Sequence, residues 1–288
     1  MMAQPGSLPW FARHELRLAW RDWLAMMTGG QRVRLFGFLF GGLAVYGLLH
    51  LIAAAIIAPA AAHGIAPDKP TLAMVSGIGL LFFSVMLSQA LESITRVYYA
   101  RSDLDLILSS PASTRALFAV RTGAVALSTA ILSALLAGPI INTLALFAGP
   151  HWLWAYLVLP ACSALAVAIA MALTMGLFRL VGPKRTRLIA QILAAIVGAG
   201  FVIGIQAVAI LSFNTYSRFA LFSSPDVIAA LPPLDHWLWL PARAVMGDAI
   251  SAVPVIATFL GALALAMLFF SPSSVSYTHL TLPTICSV

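Results

Sequence analysis

Polar residues in this chain fall in short clusters, and between them lie six long apolar runs without a single charge, at residues 35–58, 72–91, 122–148, 153–178, 188–213 and 252–270. A helix needs about 20 residues to cross a hydrocarbon core about 30 Å thick, and each run has about that length. Membrane-spanning strands would instead give runs of about ten alternating residues, which do not occur. The pattern predicts an all-α, polytopic membrane protein with six transmembrane helices.

The segments between the runs have patterns of their own. In residues 1–34, Trp10, Phe11, Leu16, Leu18, Ala19, Trp23, Leu24 and Met27 alternate with Arg13, Glu15, Arg17, Arg21 and Asp22, and Gly29-Gly30 closes the pattern. Apolar and aromatic residues beside arginines suit an amphipathic helix in a headgroup layer, or one packed against the spans. Residues 214–251 carry Pro225, Pro232, Pro233, Pro241, Trp237 and Trp239. Prolines interrupt regular helix and tryptophans favour the membrane interface, so short helices resting on the outer leaflet are expected there.

Composition agrees with the runs: 61% of the residues are hydrophobic and 9% are charged. No water-soluble domain of this length needs so much apolar surface. Charge then orients the spans. Arg13, Arg17, Arg21, Arg32 and Arg34 precede the first run; Arg96, Arg101, Arg115 and Arg121 lie between the second and third; Arg179, Lys184, Arg185 and Arg187 lie between the fourth and fifth. Thirteen basic residues thus alternate onto one side, against Lys69, Arg218 and Arg243 on the other. Cytoplasmic segments are the basic ones, so a cytoplasmic N-terminus is expected, with residues 149–151 as a short external turn.

The connection at residues 92–121 is the polar island in this chain. Ser102 and Asp103 precede Leu104, Ile107 and Leu108, an i, i+3, i+4 face, while Asp103 and Asp105 sit where a helix dipole favours carboxylates. Ser109-Ser110-Pro111 ends that pattern, because proline disfavours helix in the residue before it. Ser113 or Thr114 can cap the helix that follows, which carries Arg115 and Arg121. A short capped helix parallel to the membrane is expected, and capping alone would also account for the two aspartates.

This stretch resembles the loop after the second span in permease subunits of bacterial ABC-2 type ABC exporters, whose pattern is approximately R-S/D-D-L-D-L-L-L-S-S-P followed by basic residues. The matching positions are Arg101, Ser102, Asp103, Leu104, Asp105, Leu106, Ile107, Leu108, Ser109, Ser110 and Pro111, with Arg115 and Arg121 after them. Arg13 to Asp22, RHELRLAWRD, is similar to the family's lead-in helix. The resemblance implies an inner-membrane permease whose coupling helix meets a separate nucleotide-binding subunit, with ATP and Mg held by that partner and no cofactor in this chain. It also implies a second permease copy or half, and no nucleic acid.

The chain has no phosphate loop of its own. Its only lysines are Lys69 and Lys184, and Gly182-Pro183-Lys184-Arg185-Thr186 lacks the glycine run that cradles phosphate. A membrane metalloprotease would need a second histidine after His14-Glu15, where Leu18 stands, so an integral membrane enzyme is disfavoured. An ion-coupled secondary transporter would place carboxylates in mid-span, yet all nine acidic residues lie outside the runs or at their edges. Glu92 is expected to pair with Arg96. His50, Gln89, Asn142, Gln191 and Gln206 are the polar residues within or beside runs, either lining a pathway or bonding helix to helix. Pro139 and Pro160 are expected to kink spans three and four. Cys162 is expected as a buried small hydrophobe.

Val275 to Thr284 reads VSYTHLTLPT, which resembles the translated transposase adapter used in sequencing-library preparation. Residues 272–288 are therefore read as a non-native tail, His279 and Cys286 carry no functional weight, and the natural chain is expected to continue further.

Overall fold

The structure is a computed structural model that describes residues 32–99, 114–213 and 224–279, with scattered positions of the N-terminal segment (10, 13, 14, 17, 18, 20, 21, 25 and 29). Among the described residues all regular structure is helical. The long helices are α1 (Arg32–Ala62), α2 (Lys69–Tyr99), α3 (Thr114–Phe147), α4 (Ala155–Val181) and α5 (Pro183–Phe213). Two short helices, α6 (Pro225–Ala230) and α7 (Leu240–Val245), precede the last long one, α8 (Ala249–His279).

Five of the long helices are long and apolar enough to cross a membrane: α1, α2, α3, α4 with its preceding turn, and α8. In α5, a helix of 31 residues, the described apolar stretch is Leu188–Gly200. Helices α1, α2 and α8 extend past their apolar runs at both ends, α3 and α5 at their starts and α4 at its end, because the backbone hydrogen-bond ladder does not stop where hydropathy falls. Thus α2 carries Glu92 and Arg96 in its last turns, where they form the expected i, i+4 ion pair on an exposed surface. Pro139 and Pro160 lie inside α3 and α4, and each helix continues through its proline.

The turns fix which ends lie together. Gly149 and the 3-10 turn Pro150–Trp154 join α3 to α4, and Gly182, at φ 74°, joins α4 to α5. Gly247, at φ 94°, lies against the first of these turns: a Cβ there would come within 2.7 Å of the His151 Cβ and 2.8 Å of its carbonyl oxygen. Only glycine fits that backbone and that approach. One end of the bundle therefore holds Lys69, the 149–154 turn and residues 231–248. The other holds Tyr99, Thr114 and Gly182, with Arg96, Arg115, Arg179 and Arg185 near them.

Helix α4 is the hub, packing on α2, α3, α5 and α8. Its buried face includes Ala161, Ser163, Ala164, Ala166, Ala168 and Ala170. Lipid removes the hydrophobic drive for one membrane helix to seek another, so small side chains that let backbones approach decide the neighbours. Ser163 uses that closeness to donate to the Ala126 carbonyl of α3 at 2.7 Å, and Ser88 of α2 donates to the Ala194 carbonyl of α5 at 2.7 Å. By contrast α1 packs mainly along α3 and buries only Ala53 among its described side chains.

The surface helices expected between α5 and α8 are present in part: α6, the 3-10 turn Trp237–Trp239 and α7. The two tryptophans divide. Trp237 is exposed, whereas Trp239, expected at the interface, is buried against Leu72, Ala73 and Ala242 and donates its Nε1–H to the Pro233 carbonyl at 3.0 Å. That bond satisfies the indole's one donor, which makes full burial affordable.

Candidate functional site

The coupling segment expected at Arg101 to Pro111 lies outside the described residues, as do most of the N-terminal amphipathic segment, residues 214–223 and residues 280–288. What the structure places is the pair of helices that the coupling segment joins. Ile94, in the last turns of α2, and Phe118, in the first turns of α3, share one buried cluster with Val167 and Met171 of α4, Ala194 of α5 and Leu263 of α8. Thr95 beside them is buried and donates to the Leu91 carbonyl at 2.7 Å. Both roots of the connection are therefore packed into the core where five helices meet.

Arg121 departs from expectation. Read as a cation of the interfacial loop, it is only 3% exposed, two turns inside α3, beside the fully buried Thr122. Arg115 one and a half turns earlier is exposed and matches the interfacial reading. The helix is described from Thr114 on, so Arg121, its eighth residue, already lies within the packed bundle.

A second site is built from side chains that the apolar runs seemed to scatter. His50 of α1 and Asn142 of α3 meet at 3.1 Å, Asn142 Nδ2 to His50 Nε2. Tyr156 of α4 donates its hydroxyl hydrogen to Asn142 Oδ1 at 2.8 Å, and His50 Nδ1 lies 2.8 Å from the Tyr46 carbonyl one turn back. A carbonyl only accepts and an amide nitrogen only donates. His50 Nδ1 thus faces a backbone acceptor while its Nε2 faces the Asn142 amide. Beneath it, a Cβ on Gly138 would collide with the Tyr46 hydroxyl and stand 3.3 Å from that of Tyr156. The cluster thus seats three helices on the Gly138-Pro139 step of α3.

Of the five polar residues expected within or beside spans, His50 and Asn142 are brought together and act as a helix-to-helix bond. Gln191 is exposed, Gln206 is half-buried, and the Oε1 of Gln89 is buried without a hydrogen-bond partner. Tyr46, Tyr156 and Gly138 were not expected in any site. Their signals were present, Tyr46 one turn before His50 and Gly138-Pro139 one turn before Asn142, but only the fold makes them neighbours.

The end of the bundle that holds the 149–154 turn also has a compact clamp. Lys69 Nζ donates to the Leu231 carbonyl at 3.1 Å, Trp239 donates to the Pro233 carbonyl, and the Arg243 guanidinium donates to the Leu234 carbonyl. Asp68 caps α2 through the Thr71 N–H at 3.0 Å, and Asp248 caps α8 through the Ile250 N–H at 3.0 Å and the Ser251 hydroxyl at 2.5 Å. The Ser251 hydrogen bond, chief among these contacts, holds the Asp248 carboxyl below its ordinary range. Among the described residues no three His, Cys, Asp or Glu side chains converge as metal ligands.

Comparison with family models, with curated proteins and with solved structures finds no match.

Proposed function

We propose that this chain is the transmembrane permease subunit of an ATP-driven exporter of the ABC-2 type, sitting in the bacterial inner membrane with its N-terminus and its arginine-rich end in the cytoplasm. On this reading α5 is the sixth span, residues 1–34 form the cytoplasmic lead-in helix, and Arg101 to Pro111 form the coupling helix. A separate nucleotide-binding subunit holds ATP and Mg, and this chain itself hydrolyses nothing. A second permease copy or half completes the pathway.

The observation that carries the reading is the sequence RSDLDLILSSP set between two helices whose ends share one core. A helix with an apolar face of Leu104, Ile107 and Leu108 fits a cleft on a soluble partner, and Arg101, Asp103 and Asp105 supply complementary charge at its rim. Ile94 and Phe118 are buried together with residues of α4, α5 and α8. Packed cores respond to a push as units rather than by local deformation. A force on the coupling helix is thereby passed to five helices at once.

The test replaces Asp103, Leu104 and Ile107 together with alanine in the protein produced alongside the proposed nucleotide-binding subunit. Loss of ATPase co-purification, with the permease still inserted, is the expected result. Undiminished association and ATPase stimulation would remove the coupling assignment.

A further inference from the structure

A hydroxyl inside a helix can turn back on the carbonyl one turn earlier, and several buried ones here do: Thr95 to Leu91, Thr143 to Pro139 and Thr186 to Gly182, at 2.6–2.8 Å. Thr129 and Ser133 of α3 do not. They are 0% and 1% exposed, and neither hydroxyl has a hydrogen-bond partner among the described residues. For Thr129 the reason is local. The two carbonyls within its reach, those of Val125 and Ala126, each accept a helical N–H and also a hydroxyl, from Ser128 at 3.0 Å and from Ser163 at 2.7 Å. A carbonyl oxygen has two lone pairs, so both are taken.

The two hydroxyls lie deep in the span. With α3 crossing at Phe118–Phe147, Thr129 is about 17 Å from one end and Ser133 about 21 Å from the other. Apolar layers bracket them. One turn before Thr129, Val125 shares a cluster with Ala90 and Leu91 of α2; one turn after Ser133, Ala137 shares another with Ala155 of α4, against which Phe82 of α2 packs. Gln89 follows Phe82 by two turns on the same face of α2. Because α2 and α3 run antiparallel, its counterpart on α3 lies two turns before Ala137, at Ala130, between the two hydroxyls. The Gln89 Oε1, also buried without a partner among the described residues, is thereby brought to their level.

A buried polar atom is costly unless it is bonded, and here three lie at one depth. Side chains one turn apart stand about 5–6 Å from each other, and a water molecule bonded at about 2.8 Å to each of two oxygens spans that distance. An internal water needs about two to four polar partners, and the two hydroxyls with the Gln89 oxygen supply three. Arg121, the nearest charge along α3, is about 12 Å back, so the layer suits a neutral guest.

We infer that Thr129, Ser133 and Gln89 form a water-binding site at mid-depth, where α2 and α3 pack on α4: water bridges the two hydroxyls and donates to the Gln89 oxygen. The site rests on the packing of these helices alone and stands apart from the exporter reading.

The test uses the full chain in detergent. Thr129→Val keeps the shape and β-branching of the side chain and deletes its hydroxyl, and Ser133→Ala deletes the other. If the hydroxyls were simply unpaired, deleting them would leave the thermal midpoint unchanged or raise it. With shared water, each single variant should lower the midpoint by about 2–5 °C, and the double variant should fall no further than the worse single one. Radiolytic labelling reads the water itself, since an X-ray pulse splits bound water and oxidises the side chains beside it. The Thr129–Ser133 stretch should be oxidised severalfold more than the equally buried stretch around Ala166 and Val167 of α4. That excess should vanish in the double variant and fall in Gln89→Leu. Single variants with unchanged or raised midpoints, single effects that add in full, or labelling no higher than around Val167 would each overturn the site. An excess untouched by Gln89→Leu would remove Gln89 from it.

Discussion

Lys69 Nζ donates to the Leu231 carbonyl across 162 residues of sequence, 3.1 Å from donor to acceptor. With Trp239 and Arg243 it ties the Leu231–Leu234 turn, which contains Pro232 and Pro233, to the start of α2. The two described cations at this end are thus both used on backbone carbonyls, which a proline-containing turn leaves without enough N–H partners.

Removing that tie has a predictable cost. Lys69→Met keeps the length of the side chain and deletes the charged donor, which is worth about 1–2 kcal/mol for a partly buried bond of this kind. The midpoint of thermal unfolding in detergent should fall by several degrees, and Lys69→Arg should recover most of it. An unchanged midpoint in Lys69→Met would show that the turn holds without the bond.

Asp248 sets a pH dependence. Its carboxyl is held below its ordinary range in the folded protein, chiefly by the Ser251 hydroxyl. A depressed carboxyl contributes stability that is present above the unfolded value, near 4, and is lost as pH falls through the lower folded value. Stability measured by denaturant unfolding from pH 6 down to pH 3 should therefore decline, and Asp248→Ala should show a shallower decline. As a helix cap its loss costs about 1 kcal/mol at neutral pH. Parallel pH profiles for the two proteins would contradict this.

The α2–α5 contact is tight at Ser88. A Cβ on Gly198 would stand 3.1 Å from the Ser88 Oγ and 3.4 Å from its Cβ, and Ser88 spends its hydroxyl on the Ala194 carbonyl. Gly198→Leu should overpack this seam and cost about 1–3 kcal/mol. Combining it with Ser88→Gly should cost less than the sum of the two single changes, read as a double-mutant cycle in detergent unfolding. Strict additivity would place Gly198 outside the seam.

Orientation is open to direct labelling. With the native cysteines replaced, a cysteine at the exposed Asp235 should react with a membrane-impermeant maleimide in intact spheroplasts. Cysteines at the exposed Leu180 or Arg185 should react only after permeabilisation. The reverse pattern would invert the assignment made from the basic residues.

Residues differ in how far their own segment of sequence reveals their role. Glu92 and Arg96 were legible because an i, i+4 pair is a local property of one helix. His50 and Asn142 were visible as polar exceptions in oily runs, yet their role was not, since a pathway residue and a helix-bonding residue look alike in one dimension. That Trp239 is buried while Trp237 stays exposed was not legible, because nothing local distinguishes the two. What separates them is the Pro233 carbonyl within reach of one indole and the apolar start of α2 behind it. Arg121 was read as a loop cation for the same reason: its burial comes from neighbouring helices, not from its own segment.

The sequence alone determined that the chain is built of long apolar helices, where each lies, and on which alternating ends the cations gather. Those are properties of single segments, fixed by length, hydropathy and charge. Only the tertiary structure decided that α4 is the hub, that α1 rests on α3 through His50 and Tyr46, and that Ile94 and Phe118 share one core. In lipid every apolar face is equally content, so helices choose neighbours by small-residue fit and by individual hydrogen bonds. Those depend on where residues far apart in the chain come to lie.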